Sequence, residues 1–262
     1  MRILAIGDIY SQIGCEYAIK VIPKIKRQEN IDLCIANGEN SALGNGITPS
    51  SAEMLFSAGV DVITGGNHSL RRKEVYDMLD NNPFILRPHN MVCEAGEGYR
   101  LIDMGRCFVA VINLLGHAFM ERQEVKNPFE AADALIERAK NDGARIIIVD
   151  FHAEATGEKR AMGLYLDGKA SVVFGTHTHI PTADAQILPY GTGYITDLGF
   201  TGVIDSILGV KSSIIINRLK SGGSEKFEAA EGKCTLNGCI FDIDNNGLCK
   251  EIKQIILKEG EF

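Results

Sequence analysis

The sequence predicts an α/β fold with strands covered on both faces and a mixed or antiparallel C-terminal section. Apolar runs rich in β-branched residues recur along most of the chain, and helical spacing fills the gaps between them. After about residue 210 the pattern changes to strands and turns without helical gaps.

In chain order the strand-like runs are RILAIGD, DLCIANG, VDVITGG, CFVAVINLL, ARIIIVDFH, ASVVFGTH and GYITDLG. Their near-continuous apolar character implies strands covered on both faces. Segments around 14–29, 48–58, 71–80 and 128–141 carry helical periodicity, and Pro23 predicts a kink or break in the first. SSIIINRL, KFEAAEG, CTLNGCIFDID and LCKEIKQIIL then read as antiparallel strands and hairpins. DIDNNG at 242–247 opens like a calcium loop, but Lys253 stands where the twelfth-position glutamate belongs, so a hairpin turn is expected. No low-complexity linker or repeat divides the chain, so residues 1–262 are read as a single domain.

Composition narrows the function classes. The net charge of −7, with no Lys/Arg block longer than Arg71-Arg72-Lys73, argues against an extended nucleic-acid surface. A small anionic substrate would instead need a local cationic site. No stretch has the apolar length of a membrane span, and MRILAIGD lacks the features of a signal peptide, so no membrane association and a cytoplasmic location are expected. The seven cysteines, at 15, 34, 93, 107, 234, 239 and 249, form no C-x-x-C and read as reduced core residues.

The polar residues gather at strand ends: Asp8, Glu39-Asn40, Asn67-His68, Asp150 with His152, and His177 with His179. In GTHTHI, side chains two apart on an extended segment would point the same way, so His177 and His179 can face one point. Alone, that pair fits a metal site or a hydrogen-bonded turn equally well. Asp8 could equally cap a helix, and Asn67 could serve a turn. Five successive strand ends obeying one rule point to a shared rim, because ligands bind at the carboxyl ends of strands in such sheets. Carboxylate, amide and imidazole donors without thiolate suit Mn, Fe or Zn. They are too many for one tetrahedral ion, whereas two ions sharing a bridging carboxylate would use them all.

This ordered set resembles the calcineurin-like metallophosphoesterase superfamily, with its D-x-H, GD-x-x-D, GNH, lone H and GH-x-H blocks. GDIYSQIG, IANGENSALGNGIT, GVDVITGGNHS, VDFHAEATGEK, GTHTHIPTAD and ITDLGFTGVIDSILG are similar to its YmdB-like branch along most of the chain. Tyr10 in place of the first-block histidine and Glu39-Asn40 in place of an aspartate are that branch's habits. Leu70-Arg71 after Ser69 depart from it, which bears on substrate preference.

The resemblance implies a metallophosphoesterase-type sandwich of two mixed β-sheets flanked by helices, one ion held by Asp8, Glu39, Asn40 and His179, and a second held by Glu39, Asn67, His152 and His177. It implies hydroxide attack on phosphorus with His68 as general acid, and cyclic nucleotides as substrates, 2′,3′-cyclic monophosphates first and 3′,5′-cyclic ones second. Two divalent ions are expected, Fe or Mn ahead of Zn. The alternatives are a phosphomonoesterase or nucleotidase on the same site, or a regulatory RNA- or nucleotide-binding protein with a structural metal. Asp150 is read as orienting an imidazole or as a surface acid. His89, His117, Arg87 and Lys159 are further candidates near substrate, the last two by charge alone. Self-association into a homo-oligomer is compatible with the sequence. No G-x-S-x-G occurs, and Gly44-Asn45-Gly46 is too short for a nucleotide fingerprint.

Overall fold

A computed structural model describes residues 1–120 and 124–261. In chain order the elements are β1 (Arg2–Ile6), β2 (Asp8–Ile9), α1 (Ser11–Gln28), β3 (Leu33–Asn37), α2 (Pro49–Ser57), β4 (Val62–Thr64) and α3 (Val75–Asn81). There follow β5 (Tyr99–Asp103), β6 (Phe108–Leu115), α4 (Pro128–Asn141), β7 (Ala144–His152), α5 (Thr156–Tyr165) and β8 (Val172–Thr176). The chain continues through β9 (Gln186–Ile187), β10 (Gly193–Ile195), β11 (Phe200–Val203), α6 (Ser212–Ser221), β12 (Cys234–Ile243) and β13 (Cys249–Lys258).

The strands form two mixed sheets. The first runs β2-β11-β12-β1-β3-β4, with β13 also paired to β12, and the second runs β5-β6-β7-β8-β10-β9. β1, β3 and β4 are parallel, as are β6, β7, β8 and β10, while β12 is antiparallel to β1.

Strand alternation builds the layers. Ile3 and Ala5 of β1 meet Ile146 and Ile148 of β7 in the layer between the sheets. Leu4 and Ile6 face the other way, onto the buried stripe of α1 (Cys15, Ala18, Ile22 and Ile25). On the second sheet Ile147, Val149 and Phe151 meet α4 through Ala132, Leu135 and Ile136. Each such buried isoleucine, leucine, valine or phenylalanine contributes about 1.5–3 kcal/mol of hydrophobic stabilisation. Local signals set the helix starts. Thr48 and Ser51 form a capping box on α2, and Asn127 accepts from Phe129 N–H to cap α4.

Three expectations are corrected. Pro23 does not break α1, which runs unbroken from Ser11 to Gln28. The proline is exposed, so its ring and the carbonyl left unpaired one turn earlier face solvent, while the buried stripe holds the helix to the sheet. SSIIINRL forms α6 and not a strand: Ile214 and Ile215 pack against Tyr10, Phe200 and Val210, and left-handed Gly222 (φ 68°) ends the helix. KFEAAEG is not a strand either. The hairpin expected at DIDNNG is present, and Asp244 Oδ1 accepts from the backbone of Asn246 (2.8 Å) and Leu248 (3.0 Å). Among the described residues, no helix is long and apolar enough to cross a membrane.

Candidate metal centre

The five strand ends converge on one rim that spans both sheets. Asp8, Glu39, Asn40, Asn67 and His68 follow strands of the first sheet, His152 ends β7 of the second, and His177 and His179 follow its β8. Glu39 Oε1 lies 3.3 Å from His152 Nε2 and accepts from Asn40 Nδ2 at 3.0 Å. On one side of Glu39, His179 Nε2 stands 3.3 Å from Asn40 Nδ2 and 3.5 Å from Asp8 Oδ1. On the other, His152 Nε2 is 3.0 Å from both Asn67 Oδ1 and His177 Nδ1. All seven expected donors are therefore in one connected cluster.

The two histidines of GTHTHI reach it by a route that strand alternation does not describe. β8 ends at Thr176, and His177 (φ 102°) and His179 (φ 63°) both have left-handed backbones. Such conformations cost about 1–3 kcal/mol for a non-glycine residue and persist only where the surroundings impose them. Asp197 imposes this one: its Oδ2 accepts from both Thr178 N–H (3.1 Å) and Thr178 Oγ1 (2.8 Å), and its Oδ1 from Gly199 N–H (2.8 Å). Asp8 Oδ2 also accepts from His177 N–H at 3.0 Å. The turn thereby sends His179 toward Asp8 and His177 toward His152.

A second set of side chains fixes the imidazoles. His152 Nδ1 lies 2.9 Å from Thr176 Oγ1, which donates to Asp150 Oδ1 at 2.7 Å. Asp150 Oδ2 accepts from Thr64 Oγ1 (2.5 Å) and Asn37 Nδ2 (3.2 Å). Asp150 thus acts on His152 through Thr176, and it is fully buried rather than a surface acid. Glu154 Oε2 lies 3.0 Å from His177 Nε2, which leaves Nδ1 to face the cluster.

Burial and close charges oppose each other here. Burial resists ionisation of Glu39, but His152 and His68 hold its carboxyl well below the usual range. Burial likewise resists ionisation of Asp8, and His179 and His152 outweigh it, so that carboxyl is also lowered. His152 is buried too, yet Glu39 and Asp8 push it up to about 9. Burial, then the neighbouring His152, push His177 down to about 3. Burial raises Asp150 to about 6. Two anionic carboxylates among imidazoles make a cation-seeking site, in which a proton on His152 occupies the place of a metal's charge.

The donor set fits a divalent ion on three counts. Asp8 Oδ1, which faces His179 Nε2, is buried and has no hydrogen-bond partner. Glu39, His152 and His177 each offer a ligand atom, all within 4.8 Å of one another. Gly66 leaves the space open, since a Cβ there would lie 2.3 Å from both Glu39 Oε2 and His152 Nε2.

The model of the YmdB-like protein family matches residues 4–255. The chain belongs to the YmdB-like family. It is 44% identical over 246 residues, 94% of this chain and 92% of the relative, to the 2′,3′-cyclic-nucleotide 2′-phosphodiesterase of Bacillus subtilis. Two solved structures superpose closely. A hypothetical protein from Thermus thermophilus gives a TM-score of 0.91 at 38% identity, covering 99% of this chain and 100% of that one. The novel phosphatase of Mycoplasma pneumoniae gives 0.93 at 32%, covering 98% and 93%. The metallophosphoesterase-type fold expected from the motifs is the one observed, and membership in this family implies divalent metal ions, for which Glu39, His152 and His177 form a candidate site.

Several candidates stand outside this YmdB-like cluster. Lys159 is buried and donates to Asp197 Oδ2 at 2.6 Å, so it braces the histidine turn from below. Arg87 is buried as well and donates to the carbonyls of Pro88, Ala95 and Cys93. Neither cation is free for phosphate. His89 is half-buried with Nδ1 unpartnered, and exposed His117 borders a cavity with Phe129 and Glu158. Tyr10, at the first-block histidine position, sets its ring edge against His179, and Phe200 stacks on the same imidazole. Sequence reasoning gave no site role to Thr176, Asn37, Glu154 or Asp197. Of these Asn37 carried a signal as a polar strand-end residue, and Glu154 as an acid two residues after a strand-end histidine.

Proposed function

We propose that this chain, acting as one catalytic unit, is a dinuclear phosphodiesterase that hydrolyses cyclic nucleotides, 2′,3′-cyclic monophosphates foremost. The observation that carries the reading is Glu39, whose carboxylate stands between two groups of donors. The activity named for the Bacillus subtilis relative supplies the substrate class.

Asp8, Glu39, Asn40 and His179 would hold one ion, and Glu39, Asn67, His152 and His177 the other, with Fe or Mn preferred by these hard and borderline donors. When bound, two divalent ions supply Lewis acidity toward the phosphoryl group and make water nucleophilic near neutral pH. The protein's own groups complete the chemistry. His68 Nδ1 faces two acceptors, Glu39 Oε1 and Asn40 Oδ1, each at 3.1 Å, so Nδ1 carries a hydrogen. Nε2 is then the nitrogen that can hold a proton and release it to the leaving oxygen. Glu39 Oε2 accepts from His68 N–H at 2.7 Å and sets the height of the ring. All seven cysteines are free thiols, in keeping with a reducing, cytoplasmic setting.

The test is turnover by Mn- or Fe-loaded protein of 2′,3′-cyclic nucleotides against nucleoside monophosphates, with and without chelator. Chelator-sensitive hydrolysis of the cyclic diester is expected. Faster hydrolysis of the monoester would make the protein a nucleotidase, and activity unchanged by chelation would leave the metal a structural role.

A further inference from the structure

We propose that Asn45 contacts the leaving, sugar side of the phosphodiester, and that Arg72 presents it there. The inference rests on the phosphodiesterase reading and names what that reading leaves open, the group that recognises the alcohol being expelled.

The Asn45 side-chain amide nitrogen lies 3.5 Å from His68 Nε2. Since Nδ1 is committed to Glu39 and Asn40, Nε2 is the atom that meets the leaving oxygen. A polar group beside it therefore stands beside the leaving group as well. In the hydrolysis, water adds its oxygen to phosphorus and gives up one proton to solvent, the bond from phosphorus to the sugar oxygen breaks, that oxygen takes the proton from Nε2, and solvent returns a proton to Nε2. An amide offers both a donor and an acceptor without charge, so it can pair with the departing sugar oxygen both as the bond breaks and once it is a hydroxyl. The far less basic oxygen of a p-nitrophenyl leaving group gains little from such a contact.

The loop is built to hold this side chain. Gly44, Asn45 and Gly46 have φ of 77°, 69° and 87°, three left-handed residues in succession, and asparagine tolerates that region better than most side chains. Ala42 N–H donates to Gly46 O at 3.0 Å and closes the turn. Arg72 then ties it down: its guanidinium donates to the carbonyl of Leu43, and its Nε to that of Asn45 at 3.1 Å. A Cβ at Gly46 would lie 2.9 Å from Arg72 Cγ, so the glycine admits the arginine stem. Arg72 lies in the segment where Leu70-Arg71 depart from the branch's pattern. Leu70 packs toward Met91 and Leu115, leaving Arg72 to reach back across the loop.

The test compares Asn45→Gly, Asn45→Asp and Arg72→Met with the parent protein, all Mn-loaded, on a 2′,3′-cyclic nucleotide and on bis-p-nitrophenyl phosphate. Asn45→Gly keeps the left-handed backbone and removes only the amide. It should raise KM or lower kcat for the cyclic nucleotide by about 3- to 10-fold, the worth of one hydrogen bond, while leaving the aryl diester nearly unchanged. Asn45→Asp, which sets an anion beside the phosphate, should lose more. Arg72→Met should reproduce the Asn45→Gly bias. Unchanged kinetics in Asn45→Gly, or equal losses on the two substrates, would overturn the assignment. A parent protein that cleaves the aryl diester but no cyclic nucleotide would overturn the phosphodiesterase reading instead, and the proposal with it.

Discussion

Glu39 Oε1 and His152 Nε2 lie 3.3 Å apart, and this contact joins the two sheets at the centre of the donor cluster. The acid comes from the loop after β3 of the first sheet and the imidazole from the end of β7 of the second. Glu39→Gln should therefore lower the content of both ions, not one. Metal analysis of the purified variant by plasma mass spectrometry checks this, and a full complement of two ions would refute a bridging role.

His68→Ala should keep its metals yet slow cyclic-nucleotide hydrolysis by about 10²–10⁴-fold, the usual contribution of a general acid. A p-nitrophenyl diester, whose leaving phenolate needs little protonation, should suffer much less. Equal losses on the two substrates would mean that His68 positions the phosphate, and a lost ion would make it a ligand.

Glu154→Gln should weaken metal binding about 10- to 100-fold through loss of the carboxylate that orients His177. The measurement is a chelator competition titration against the parent protein. An unchanged affinity would show that the turn alone orients the imidazole.

Lys159→Met should destabilise the fold by about 3–5 kcal/mol, because it leaves the buried Asp197 carboxylate without its cation. Urea denaturation of the metal-free protein reads the loss directly. Asp197 also holds Thr178, so the same variant should bind metal less tightly.

Burial pushes the thiols of Cys15 and Cys239 up to about 12. They stay protonated and unreactive at neutral pH, so alkylation of the native protein should be confined to half-buried Cys93 and Cys107 and leave the metals in place. For a thiol raised by folding, stability is fully present below its ordinary value of 9.0 and declines as pH rises toward about 12. Thermal melts should accordingly fall across that alkaline window. Rapid release of metal on alkylation at neutral pH would contradict a purely structural role for the cysteines.

The strands, and the strand-end polar residues that the fold gathers on one rim, were legible in the sequence because both obey short-range rules. A buried strand shows itself as an apolar run, and a ligand at its carboxyl end interrupts the run with a polar residue. Legibility failed where the long-range environment decides. Three isoleucines in SSIIINRL suggest a strand, but only the packing of Ile214 and Ile215 against Tyr10 and Phe200 makes them one side of a helix. Extended alternation predicted that His177 and His179 meet the site, and they do, through left-handed residues held by Asp197 from twenty residues or so downstream. The charges of Lys159 and Arg87 suggested phosphate contacts, and only the fold shows their partners. Thr176 and Asn37 look like ordinary strand residues until Asp150 is brought beside them.

The pairing of β1 bears on how this protein comes off the ribosome. β1 sits between β3 and β12, and the Arg2 side chain meets Asp242, 240 residues further along the chain. At typical synthesis rates of about 5–20 residues per second, β1 waits on the order of tens of seconds for its second neighbour. During that interval Ile3, Leu4, Ala5 and Ile6 form an apolar strand with one unsatisfied edge, open to pairing with any nascent chain nearby. Arrival of β12 closes that edge, so yield in rapid overexpression should depend on chaperone supply and growth temperature far more than on the stability of the finished fold.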